Sequence, residues 1–287
     1  MAKLGIIGGS GMYALPGFER TEERAAATPF GAASAPLQCG RLGAVELVFL
    51  PRHGVAHVLL PEEINYRANI YALKAAGVTQ IVSVCAVGSL QEQYRPGDFV
   101  VVDQFFDRTR KGRQDTFFGG GIAAHVPFGD PVCPCLSAAL FAAGSAVGAT
   151  IHRGGTYVNM EGPAFSTRAE SNFYRQTGAA VIGMTNLTEA KLAREAELCY
   201  AALAQVTDYD CWNVARAAVT IAEILATVRR NAEWTARIIA RFVQSFPPPG
   251  DCACGSALQH AIMTPWERIP RATRDALGII ISKHAPA

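Results

Sequence analysis

CYAALAQVTDYD, residues 199–210, is the stretch on which the reading of this chain turns. Residues 199–206 read as a buried strand, and Thr207, Asp208, Tyr209 and Asp210 follow it directly. Two carboxylates at the end of a buried strand are costly unless they are solvated, paired or used. Strand ends are also where open α/β sheets place their ligand chemistry. Taken alone, the pair makes an ordinary turn as readily as a site, so the rest of the chain has to decide.

Further apolar runs lie at 4–8, 45–50, 80–87, 98–105, 156–160 and 179–184. Several are rich in valine and isoleucine throughout, as expected of strands covered on both faces. Between them, 62–76, 135–147, 167–177 and 186–198 have helical periodicity. Thr167-x-x-Glu170 and Asn186-x-x-Glu189 have capping-box form, which predicts helix starts. The alternation predicts an α/β fold: one domain over residues 1–287, with a central mixed, mainly parallel sheet flanked by helices. A long helical stretch at 212–246 ends in Pro247-Pro248-Pro249-Gly250, and 256–276 is helical in pattern.

Half of the 287 residues are hydrophobic and 17% are charged, a low share that points to buried subunit interfaces. A net charge of +2 without a basic block gives no sign of nucleic acid as a partner. The start MAKLGIIGGSGM is too glycine-rich for a signal peptide, and no run reaches the ~18 apolar residues of a membrane helix. The expectation is a cytoplasmic protein with no membrane partner. Cys39, Cys85, Cys199 and Cys211 read as small buried hydrophobes. Cys133-Pro-Cys135 and Cys252-Ala-Cys254 lack the C-x2-C spacing of zinc sites, so no metal site is expected. In a reducing cytoplasm these are thiols, with a redox role open for Cys252 and Cys254.

Four strand ends carry donors suited to an anion. Gly8-Gly9-Ser10-Gly11 is either a tight turn or a small anion nest in which Ser10 and backbone N–H groups face a phosphate. It satisfies a loose G-x-G-x-x-A form, but Leu15-Pro16-Gly17 interrupts the helix a dinucleotide would need, which sets an NAD-dependent oxidoreductase aside. Arg52 and His53 follow the strand at 45–50 and offer a guanidinium fork and an imidazole donor. Cys85-Ala86-Val87-Gly88-Ser89 ends in small residues that admit a ligand to the backbone, and Met184-Thr185 precedes a helix N-terminus.

At this point the sequence resembles the trimeric purine nucleoside phosphorylases, and among them the branch that acts on 5′-methylthioadenosine. The resemblance rests on MEGPAFSTRAE (160–170), GMTNLTEA (183–190) and TDYDCW (207–212). The 8–11 turn, PRHG (51–54), NYRANI (65–70) and VGSL (87–90) follow the same pattern in the same order, and residues 247–287 form a divergent, helical C-terminal segment. The resemblance implies phosphorolysis without a cofactor, inorganic phosphate being a co-substrate. Ser10, Arg52, His53, Cys85, Ala86 and Thr185 stand where the family binds phosphate, and Met184 where it lies along the ribose. Phe165 and Ser166 stand in its base-binding loop, and Asp208, Tyr209 and Asp210 at the base. Asp208 is expected to give a proton to N7 of the leaving purine. The paired carboxylates accept from a 6-amino group, which favours adenine over 6-oxopurines. Alternatives at this point are methylthioinosine or a broader set of purine nucleosides. Ile221, Ile224 and Leu225 read by spacing as a core stripe, but they match the family's apolar 5′ pocket. His57 and His125 stand near that pocket, with His125 contributed by a neighbouring subunit of a homotrimer. The sequence departs from the family at Cys85, where relatives carry a hydroxyl, and at Ala164, where they carry a longer side chain.

Overall fold

A computed structural model describes residues 2–8, 15–110, 112–213, 221–248 and 252–286. The strands are β1 (Lys3–Gly8), β2 (Phe18–Arg24), β3 (Ala27–Thr28), β4 (Gly31–Ala32), β5 (Leu37–Leu42), β6 (Val45–Pro51), β7 (Gln80–Ser89), β8 (Phe99–Val101), β9 (Gln104–Arg108), β10 (Ile151–Arg153), β11 (Thr156–Met160), β12 (Val181–Gly183) and β13 (Cys199–Asp208). The helices are α1 (Tyr66–Ala75), α2 (Pro134–Ala146), α3 (Arg168–Gln176), α4 (Asn186–Glu195), α5 (Ile221–Gln244), α6 (Arg271–Ala276) and α7 (Gly278–Ile281).

Eleven strands form one mixed sheet whose main path runs β10-β8-β13-β7-β1-β6-β5-β2. The β6-β1-β7-β13 centre is parallel, so these four strands end along one edge. The apolar runs of β1, β7 and β13 are buried on both faces, as expected under two helical layers. One layer holds Leu136 and Leu140 of α2 against Ile238, Ile239 and Phe242 of α5. The other holds Ile70 and Leu73 of α1 against Ala190 and Leu192 of α4.

At its far end β7 changes partners. Gly88 still pairs with Asp208 of β13 while also pairing antiparallel with Ile182 of β12, which leads into the β11 and β9 strands. The β13 ladder is bulged between Val206 and Asp208, with Thr207 the unpaired extra residue.

Three expectations need correction. The single strand expected at 98–105 is two, because β8 pairs with β13 and β9 joins β11 in another part of the sheet. The helix expected at 256–276 is instead a series of short turns ending in the six-residue α6, with Pro265 and Pro270 preceding two of them. Thr167–Glu170 is a reciprocal capping box, but α4 is capped by Thr185, and Asn186 and Glu189 face inward instead. β2 and β5 had no counterpart among the expected strands. β2, FERTEER, is a charged and exposed edge, a pattern without an apolar face.

Candidate active site

The ends of β6, β7, β12 and β13 surround a cavity of about 390 Å³, within the range of small-molecule sites. Its lining includes Arg52, His53, Cys85, Ala86, Met184 and Thr185. It also includes His57, Phe165, Asp208, Asp210 and Leu225. These residues come from separate stretches of sequence, and the fold brings them to one place.

Arg52 is 1% exposed and its guanidinium is largely committed to the protein. Nε and Nη2 both donate to Glu189, Nη2 also to Ser83 Oγ at 2.6 Å, and Nη1 to the Val84 carbonyl at 3.1 Å. Of its five N–H groups, one on Nη1 is left among the described residues. Burial alone would weaken the charge, but the Glu189 carboxylate outweighs it and holds Arg52 above the ordinary guanidinium range. Ser83 and Tyr200 hydroxyls donate to Glu189 Oε2 at 2.6 and 2.9 Å, and the Asn186 amide donates to both hydroxyls. Glu189 was missed at the sequence level because its position three residues after Asn186 read as a cap.

His53 is a neutral imidazole. Burial, then the Arg52 charge, push it down to about 4. Its Nδ1 lies 2.9 Å from the Leu59 carbonyl, which can only accept, so Nδ1 carries the proton and Nε2 offers a lone pair. It therefore presents an acceptor, where the sequence suggested a donor. His57, in the left-handed region at φ 59°, stacks on it with centroids 4.2 Å apart. Burial raises the Cys85 thiol to about 12, so it is a neutral group. Thr185 caps α4 without its side chain bonding to the helix, which leaves that hydroxyl beside the helix N-terminus.

At the end of β13 the two acids interlock. Asp208 Oδ1 accepts from the Asp210 N–H at 2.7 Å, an Asx turn that suits Asp210 at φ 50°. Gly88 makes room for the pair: a Cβ there would lie 3.2 Å from Asp208 Oδ1 and 3.3 Å from Asp210 Cβ. The Thr207 hydroxyl lies 3.1 Å from the Val87 carbonyl and 2.7 Å from Asp208 Oδ2. One hydroxyl proton cannot serve both acceptors fully; both contacts are satisfied when Asp208 is protonated and donates to Thr207. Burial, as the first cause, raises Asp208 above the usual carboxylate range, against the lowering pull of the Thr207 hydroxyl and the Asp210 N–H. Asp210 is also raised, mainly by burial and further by the Asp208 charge. Its Oδ2 is buried without a hydrogen-bond partner among the described residues.

Other expected residues fall elsewhere. Ser10 lies outside the described residues, as do the side chains of Ile221 and Ile224. Tyr209 does not line the cavity: its ring is buried edge-on against Trp212, 5.7 Å away. Ser166 sits behind the lining, its hydroxyl on Met160 Sδ. His125 is exposed and borders a second pocket with Arg194 and His260, so it is not part of this chain's own cavity. On the apolar side, Val228 joins Leu225 one helical turn on, a continuation of the stripe that i,i+3 spacing signals. Val58, Leu60, Phe165 and Leu225 line the cavity yet are exposed, Phe165 at 73%.

Residues 3–244 match the phosphorylase superfamily. The chain belongs to that superfamily. S-methyl-5′-thioadenosine phosphorylase of Geobacter sulfurreducens is 52% identical over 281 residues, covering 98% of each chain. A crystal structure of methylthioadenosine phosphorylase from an antarctic soil metagenomic library superposes with a TM-score of 0.91 at 44% identity, covering 97% of this chain and 98% of the other. The Schistosoma mansoni methylthioadenosine phosphorylase, solved in complex with adenine, gives 0.83 at 34% identity over 98% of both. Within the superfamily, this chain is therefore a member of the methylthioadenosine phosphorylase family, and its large mixed sheet is the family's fold.

Proposed function

We propose that this chain converts 5′-methylthioadenosine and inorganic phosphate to adenine and 5-methylthioribose 1-phosphate, with Asp208 as the proton donor. The observation that carries the reading is the meeting of three chemistries in one cavity: anion donors, a raised carboxyl pair and an apolar helix face.

A phosphate oxygen attacks C1′, and the C1′–N9 bond breaks with its electrons passing to the purine. Asp208 delivers a proton to N7, so adenine leaves neutral. Monohydrogen phosphate loses one proton in becoming the ester, and the purine gains one; the reaction balances on the two substrates, with no cofactor needed. The remaining Arg52 N–H, the Thr185 hydroxyl, and the Cys85 and Ala86 backbone hold the anion, with Ser10 joining from the end of β1. A phosphate P–OH finds its acceptor in His53 Nε2. Met184 lies along the ribose, while Phe165 and Ser166 belong to the loop over the base. Asp210, whose side chain lines the cavity, receives the 6-amino group of adenine on its carboxyl group. Leu225 and Val228, with Ile221 and Ile224 of the same helix, take the 5′-methylthio group, near His57.

The working unit is a cytoplasmic homotrimer. Exposed Val58, Leu60 and Phe165 at the cavity mouth support a subunit contact there, to which a neighbour brings His125. The test is ultraviolet detection of base release from methylthioadenosine, methylthioinosine, adenosine and inosine, with and without phosphate. Phosphate-dependent turnover fastest on methylthioadenosine is expected. Turnover without phosphate, or a preference for inosine, overturns the reading.

A further inference from the structure

Cys133, Cys199 and the Cys252–Cys254 pair come from three separate stretches of sequence, but their sulfurs all lie within 4.8 Å of one another. Cys252 Sγ is 3.8 Å from that of Cys133 and 3.4 Å from that of Cys199. A zinc–thiolate bond is about 2.3 Å, so the edge of a tetrahedral ZnS₄ unit is about 3.8 Å. Two disulfides would instead draw the sulfurs into couples about 2 Å apart. Four mutually close thiols, two of their separations near the edge of such a tetrahedron, are a ligand set. We infer that these four cysteines form a structural tetrathiolate site for a divalent, zinc-class cation, which ties the C-terminal segment to the sheet.

The surroundings fit that chemistry. Cys133, Cys199 and Cys254 are buried, and Cys252 is half-buried. Cys133 immediately precedes α2, whose N-terminal end favours thiolate charge. Two ligands sit on the framework: the Cys133 N–H donates to the Tyr200 carbonyl at 2.8 Å, and the Cys199 N–H to that of Thr79 at 3.2 Å. The other two come from the segment beyond α5, around the turn Ala253–Ser256. The role is structural, because four thiolates close the coordination sphere. Cys199 also opens β13 while Asp208 ends it, about 30 Å away at roughly 3.3 Å per residue.

At this point the tail changes sides of the sheet. Cys254 packs in the core with α2 and α5, while Leu258 packs in the core with α1 and α4. The same tail then pairs Ile262 with Ala124 and accepts the His125 N–H on the Ala261 carbonyl at 2.9 Å. A cation at the crossing would fix a strap that also holds the His125 loop. Sequence spacing hid the cluster because its ligands come from three separate segments.

The experiment is metal analysis of the untagged full-length protein grown with zinc, followed by exchange to Co²⁺ and absorption spectroscopy. One zinc per chain is expected, with the sulfur-to-cobalt charge-transfer and visible d–d bands of a tetrahedral tetrathiolate. Cys199→Ser and Cys254→Ser should each lose the metal, while Cys135→Ser, an exposed cysteine outside the cluster, should keep it. Metal-free protein with reactive thiols refutes the site, as does a mass deficit showing disulfides. Stoichiometric zinc that survives both cluster substitutions also refutes it. The spectrum of the parent protein decides even if the variants fail to fold.

Discussion

Replacing Glu189 by glutamine tests whether one buried carboxylate holds Arg52 in place. The two side chains are 2% and 1% exposed, so water cannot substitute for either. Glutamine keeps the shape but removes the charge, and it turns an acceptor oxygen into a donor facing the donors of Arg52, Ser83 and Tyr200. An uncompensated guanidinium in such a place costs ~3–5 kcal/mol. At roughly 2 °C per kcal/mol for a chain of this size, the melting temperature should fall by ~6–10 °C. Removing both charges, Arg52→Met with Glu189→Met, should recover most of the loss, because the desolvation cost disappears with the ions. The Asn186 amide donates to both Ser83 and Tyr200, so each hydroxyl should keep one partner once Glu189 is gone. Calorimetry and urea unfolding of the parent, Arg52→Met, Glu189→Met and the double variant give the coupling directly. A Glu189→Gln protein melting within ~1 °C of the parent, or a double variant as unstable as the sum of the singles, would refute the reasoning.

Asp208→Asn should lower kcat by ~10²-fold or more, the range of a lost general acid. In the parent, activity should fall as pH rises through the raised titration of the Asp208–Asp210 pair, because the protonated form donates; an unchanged alkaline limb in the Asn variant contradicts that assignment. Val228→Thr places a hydroxyl on the apolar wall, and kcat/KM should drop ~10-fold more for methylthioadenosine than for adenosine, whereas equal losses would place the 5′ group elsewhere. His53 titrates at about 4 in the folded chain against 6.5 ordinarily, so the unfolded state binds more protons between those values. Stability should therefore decline as pH falls across that window, and less steeply in His53→Asn; identical acid profiles would contradict the buried neutral imidazole.

The central strands and their helices were legible because burial on both faces leaves long apolar runs, as at β7 and β13. Expectation failed where a neighbour, not local pattern, decides the element. β2 is a strand only because β5 pairs with it, and 98–105 divides because its halves pair with different strands. The same distinction runs through the site. Arg52, His53, Thr185, Asp208 and Asp210 were legible as polar residues at strand ends, and the structure brings them to one cavity. Glu189 was not, because its partner lies 137 residues away. Tyr209 was carried along by its neighbours, although just past the end of β13 its ring packs into the core against Trp212.

The shared position of Gly88 has a consequence for how this site can diversify. One residue of β7 is laddered to Asp208 on one side and to Ile182 on the other. Any shift of the carboxyl pair must therefore disturb two ladders and a space in which even a methyl group would be tight. The helical wall is under no such restraint: Leu225 stands exposed on α5, outside any ladder, and can be exchanged at small cost in stability. Drift in a lineage built on this scaffold should thus alter which 5′ substituents are accepted, while preference for the base stays inherited.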